Sequence, residues 1–211
     1  MESTSPIVLG LPLDIFLLFV SGVFYAVCAW FLWKKLRQEK SELTSALFAF
    51  LSYQTINMVF MGLEVYTGNM FYGRISALAI LLGSTYMLKF PLSHFSSWAR
   101  KVVFMLSLIV ALGLFVYFIQ TPETEKLLMK FVLWYDLIVN GILVGGTMII
   151  FGLRAVERAY KMKAMGGGAG VISCCVIAGA AFLSGAMLTG AVYSFFAPVL
   201  ILGTLFLRRK N

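Results

Sequence analysis

From Leu11 to Trp33 the chain runs 23 residues with Asp14 as its sole charge. A helix of that length rises far enough to cross the ~30 Å hydrocarbon layer of a bilayer. Comparable runs follow at about 43–66, 73–89, 102–119 and 127–153. Val171 to Leu207 is too long for one crossing and about right for two. The break between these two is expected near Gly190 to Pro198, because proline removes a helix donor and clashes with the preceding turn. The spans read from sequence are therefore 11–33, 43–66, 73–89, 102–119, 127–153, 171–189 and 193–207. They describe an all-α integral membrane protein, a seven-transmembrane-helix bundle forming one polytopic domain over 1–211. Composition agrees: 61% of residues are hydrophobic and 12% charged, and mean hydropathy is +0.92. A soluble domain is about half apolar and a quarter charged.

The net charge of +8 falls in short clusters between the apolar runs. That distribution encodes membrane topology rather than nucleic-acid binding. Lys34, Lys35, Arg37 and Lys40 follow span one. Lys89, Arg100 and Lys101 follow span three, and Arg154, Arg158, Lys161 and Lys163 follow span five. The chain ends in Arg208-Arg209-Lys210 before Asn211. The alternate loops hold only Arg74, Lys126 and Lys130. Seven spans then place the N-terminus outside and the C-terminus in the cytoplasm, in a plasma or bacterial inner membrane. Six spans with a long tilted last helix would export the C-terminal basic cluster. The N-terminal stretch lacks a positive n-region, so a cleaved signal peptide is not expected. Ser41 is a plausible cap for span two, Thr67-Gly68-Asn69 a turn, Gln120 to Lys126 an exposed loop, and Met165 to Gly170 a flexible joint.

Gly22 and Gly141 occupy matching places before basic tails in spans one and five. Gly83 matches Gly203 in spans three and seven, with Lys89 near the register of Arg208. These matches suggest a 3+1+3 internal repeat with span four as separator. Seven-helix sugar and vitamin carriers share that layout, but the chain lacks their paired prolines in spans two, five and six. Retinal proteins also have seven helices with the N-terminus outside. Span seven here has no lysine for a Schiff base.

Ionisable groups within a membrane helix are candidate functional groups because burying them is costly. Asp136 and Asn140 share one face of span five at i, i+4. Gln54, Asn57, Met61 and Glu64 follow 3-4-3 spacing along span two, so one side of that helix is polar and must face protein or water. Glu64 near the end of span two and Arg74 at the start of span three are expected ion-pair partners, with Asp14 close to the same membrane face. The candidate substrate- or ion-binding residues are Asp136, Asn140, Gln54, Asn57, Glu64 and Arg74. Together they suggest an outward-facing polar cavity lined by spans one, two, three and five.

Other chemistry finds little support. His94 is the only histidine, which argues against a His-based metal site or bis-histidine haem ligation. Cys28, Cys174 and Cys175 lie in apolar runs without metal spacing and read as packing residues. The GGGAG stretch lacks the GK[ST] ending of a phosphate loop, and no hydrolase set is present. No enzyme activity, cofactor or metal is expected. Phe90, Phe95 and Trp98 with Arg100 and Lys101 suit an interface with anionic headgroups on the cytoplasmic side. Span six is rich in Gly and Ser, a packing signature. The expected function is a small carrier or channel for a small solute or ion. The alternative is a non-catalytic sensor or assembly subunit that binds a protein partner; a homo-oligomer is compatible with either.

Overall fold

The structure is a computed structural model that describes residues 6–38, 42–93, 95–156 and 158–205. Ser41, His94 and the Arg208-Arg209-Lys210 cluster lie outside the described residues. Among these, six helices are long and apolar enough to cross a membrane: Leu13–Gln38, Thr44–Thr67, Met70–Leu92, Ser97–Phe118, Leu127–Arg154 and Ala164–Leu183. A seventh apolar helix, Met187–Leu205, has 19 residues. The chain is thus a helical bundle suited to a membrane.

Helix α1, Leu13–Gln38, shows why lipid suits it. Its buried residues, Ile15, Leu18, Gly22, Tyr25, Ala29 and Leu32, form a 3-4-3-4-3 stripe. The opposite side exposes Val23, Val27, Trp30 and Trp33. Both sides are apolar, a pattern water would not tolerate over such an area. α1 packs on α2 (Glu42–Thr67), and α2 on α3 (Met70–Met87). A short turn, α4 (Lys89–Leu92), extends the third crossing through Pro91, one turn beyond the expected end. Helix α5 (Ser97–Phe118) buries only Ala111 and lies at the bundle's edge.

The fifth crossing starts at Leu127 as the sequence suggests, but its helix begins earlier. Helix α6, Pro122–Asp136, absorbs most of the expected 120–126 loop. The Thr121 side chain accepts from the Thr124 backbone N–H at 3.3 Å, and proline sits in the first turn, where its missing donor costs nothing. From Leu137 to Gly145 the helix widens into a π-helical segment, then continues as α7 (Gly146–Arg154). The sixth crossing repeats the pattern: α8 (Arg158–Ile172), a π-helical segment at Ser173–Ala178, and α9 (Gly179–Leu183). Residues 165–170 are therefore helix, not a flexible joint.

The break between the last two crossings lies at Ser184–Ala186, not at 190–198. Gly185 takes φ +81°, the Gly185 N–H donates to Phe182 O at 3.1 Å, and the Ala186 N–H donates to Ala181 O at 2.8 Å. That is a glycine-terminated Schellman ending. Pro198 instead sits inside α10 (Met187–Leu205). The span boundaries thus become a helix ending at Leu183 and one starting at Met187, in place of 171–189 and 193–207. Before α1, Ile7–Val8 and Leu11–Pro12 form a small antiparallel hairpin that the sequence reading missed, turning at Leu9 and Gly10, both at positive φ.

Glycines bring crossings five and six together. A Cβ on Gly168 would lie 2.9 Å from Gly145 O and from Ile149 Cγ1. One on Gly145 would lie 2.7 Å from Ile172 Cγ1, and one on Gly141 would strike Val176. In lipid, such close backbone approach replaces the hydrophobic drive between helices. Gly146 faces open space. Gly146→Ala is expected to raise stability by about 0.5–1 kcal/mol through helix propensity. Gly168→Ala should lower it by about 1–3 kcal/mol despite the same propensity gain, because the backbone behind it cannot yield. Melting temperatures in one detergent would show the opposite signs.

Candidate functional site

The bundle has two apolar cores. One joins α1, α2, α10 and the fifth and sixth crossings through Leu18, Tyr25, Phe50, Met58, Val144, Cys175 and Ile201. The other joins α3, α5 and α6 through Ala77, Ile80, Leu81, Ala111, Leu128 and Val132. The polar residues of the membrane interior collect at the seam between them.

Asp136 ends α6 where the π-helical segment begins. Its Oδ1 lies 2.7 Å from Ser84 Oγ on α3 and accepts from Asn140 Nδ2 at 2.6 Å. Asn140 Nδ2 also donates to Ser84 Oγ at 3.0 Å. The Cys175 thiol of the sixth crossing faces the same carboxyl. Asp136 is 5% exposed, and Asn140 and Ser84 are fully buried. A buried carboxyl is tolerated only with partners such as these.

Ser84 carries one hydroxyl hydrogen and has two acceptors in reach, Asp136 Oδ1 and the Ile80 carbonyl at 2.8 Å. Two proton arrangements satisfy the Ser84–Asp136 contact, while the buried Asn140 Oδ1 has no hydrogen-bond partner among the described residues. With Asp136 ionised, Ser84 donates to the carboxylate. With Asp136 protonated, the acid donates to Ser84 Oγ, and the serine hydrogen turns to Ile80 O. Uptake of one proton by Asp136 together with one hydroxyl rotation separates the two arrangements, with no movement of heavy atoms.

A second network lies one step along the same face of α3. Ser76 Oγ donates to Asn57 Oδ1 at 2.7 Å, and Asn57 Nδ2 donates to Gln54 Oε1 at 2.9 Å. Ser76, Ile80 and Ser84 are spaced i, i+4, i+8, so α3 carries one hydroxyl into each network with Ile80 between them. Thr85, one residue on, pairs with Tyr135 OH at 3.2 Å.

Gln54, Asn57 and Asp136 line one small cavity of about 10 Å³, together with Met58, Met61, Ile80, Leu133, Cys174, Gly179, Phe182 and Ser194. That is about the room one water needs. Ser194 Oγ is fully buried and has no hydrogen-bond partner. The backbone carbonyl of Ser194 also loses its usual i+4 donor, because residue 198 is proline. Spans two, three, five and six and the last apolar helix, α10, build the walls. Span one contributes no lining residue, which corrects the expected set of one, two, three and five.

Four of the six candidate residues therefore meet: Gln54, Asn57 and Asp136 on the cavity, and Asn140 hydrogen-bonded to Asp136 behind it. Glu64 and Arg74 do not join them. They border a separate small pocket with Met70, Gly73, Leu128 and Met129, where the Glu64 carboxylate covers Gly73. Asp14 is buried, but it too lies off the Asp136 cavity, with Oδ1 unpartnered. The three cysteines are free and buried, and among the described residues no group of His, Cys, Asp and Glu could hold a metal ion.

Sequence reading missed Ser76, Ser84 and Ser194. The i, i+8 spacing of the first two, with Ile80 midway, was the available signal. Comparison with protein-family models, curated proteins and solved structures finds no match for this chain.

Ser84→Ala removes the hydroxyl shared by Asp136 and Asn140. It should cost about 1–3 kcal/mol of bundle stability, the range for stranding a buried polar partner. Reversible unfolding in mixed micelles would measure the loss. An unchanged midpoint would show that the carboxyl does not depend on α3.

Proposed function

We propose that the chain is a small membrane carrier or channel for a small solute or ion, with the Asp136 cavity as its polar centre. The supporting observation is convergence: an acid and two amides from distant parts of the sequence reach one buried cavity walled by four crossings and α10. Such groups are expensive in a membrane interior and are retained where they handle solutes, ions or protons. The proposed orientation puts the N-terminus outside and the C-terminus in the cytoplasm, following the basic clusters. The edge position of α5, which buries only Ala111, supports its role as separator in a 3+1+3 arrangement.

At about 10 Å³ the cavity has room for about one water and for no larger solute. Conduction or carriage then requires the seam to open. The π-helical segments at 137–145 and 173–178 adjoin Asp136 and touch one another. π-Bulges occur often at functional sites, and these are where the helices can change register locally.

A second reading, a non-catalytic sensor or assembly subunit, draws on the side-chain hydrogen bonds that tie the crossings directly to one another. Proteoliposomes separate the two. Proton entry would be followed with an internal pH dye under an imposed potential, and solute entry by osmotic light scattering over a panel of small polyols, amides and sugars. The carrier reading expects flux above protein-free vesicles. It also expects Asp136→Asn and Asn57→Leu to lower that flux about tenfold or more while the protein still accumulates in the membrane, as befits essential intramembrane polar groups. Normal flux in both variants removes the carrier reading. A partner retained in fixed ratio through the 154–163 segment favours the second.

A further inference from the structure

At the end of the bundle where α2 and α5 begin, a cleft of about 270 Å³ is lined by Ser45, Lys89, Arg100, Lys101 and Phe104. Among the described lining residues, three side chains are cationic, one is a hydroxyl, and none is acidic. Three cationic side chains converging on one cleft raise the local positive potential and draw anions to it. Ser45 lies in the first turn of α2, while Arg100 and Lys101 follow the Ser96 N-cap of α5, so the positive ends of two helices add to the field there. Lys89 Nζ stands 4.7 Å from the ring centres of both Tyr86 and Phe104, which hold its ammonium at the cleft.

The surroundings indicate what carries the anion. Phe95 and Trp98 flank this end with most of their surface exposed. Above them α5 exposes Val103, Met105, Leu106, Ile109 and Val110. A headgroup in the cleft would lay its acyl chains along that bare apolar face. The volume is just under the range of ordinary ligand pockets, enough for a phosphodiester headgroup and little more.

We propose that this cleft is a discrete binding site for the phosphate of an anionic phospholipid, with Lys89, Arg100 and Lys101 as its donors and α5 as the platform for the lipid's tails. The site is separate from the Asp136 cavity and does not depend on the carrier reading.

The test uses the full chain, purified in a neutral detergent and stripped of lipid. Native mass spectrometry would count retained lipid after titration with phosphatidylglycerol or, in a parallel arm, phosphatidylcholine. Phosphatidylglycerol should bind one per chain in preference to phosphatidylcholine, and inorganic phosphate should not displace it. The variant Lys89→Gln/Arg100→Gln/Lys101→Gln should lose about a hundredfold in phosphatidylglycerol affinity, from the usual contribution of each basic group to anionic-lipid binding. Lys35→Gln/Arg37→Gln, which neutralises a basic cluster outside the cleft, should lose far less. Phosphatidylglycerol should also raise the melting temperature of the wild type by more than that of the single variant Arg100→Gln, and equal shifts overturn the site even if the triple variant folds poorly. Equal retention of the two lipids, or an equal loss in both charge variants, overturns the site. Displacement by inorganic phosphate without preference between the lipids identifies a free phosphate as the ligand and overturns the lipid assignment.

Discussion

A carboxyl in a membrane interior must find hydrogen bonds inside the protein, and the arrangement of this bundle follows from how Asp136 finds them. Ser84 and Asn140 supply them at 2.7 and 2.6 Å. For Ser84 to reach, α3 must lie against the middle of the fifth crossing. For α3 to present Ser76 to Asn57 as well, it must also lie against α2 in one rotational setting. Apolar contacts in lipid say little about register, since one oily face packs about as well as another. Two sets of short polar contacts on a single helix face specify it.

Glycine performs the complementary task on the far side of Asp136. The fifth and sixth crossings approach until backbone meets backbone at Gly145 and Gly168. Both widen into π-helical segments at that level. A wider turn shifts the side chains that follow it, and Cys175 is thereby turned toward the carboxyl from the sixth crossing. Close approach and altered helical pitch together enclose a polar group with little space to spare.

Much of this was legible in the sequence, for identifiable reasons. The crossings stand out because apolar length is a strong signal. Asp136, Asn140, Gln54 and Asn57 stand out because acids and amides are rare in lipid and their spacing places them on single faces. Ser76, Ser84 and Ser194 do not, because a serine in a membrane helix more often bonds back to its own backbone, as Ser21 does to Leu17 O at 2.7 Å. The break between the last crossings was placed at the proline, although the glycine of Leu183-Ser184-Gly185 carries the helix ending. The glycines within 166–170 suggest a joint only while the partner helices are out of view; Gly167 and Gly168 form a contact surface against Gly145, Met148 and Ile149, and Gly170 packs on Ala197 and Ile201. Glu64 and Arg74 are near in sequence to the polar stripe, but they sit beyond its last buried turn and close on a different pocket.

The thin attachment of α5 has its own consequence. Only Ala111 is buried along the entire helix, and Gly113 has no atom of another element within 4 Å of where a side chain would start. That position can carry a bulky chemical group without disturbing either core. It is a natural anchoring point for a spectroscopic reporter that watches the bundle breathe from its rim.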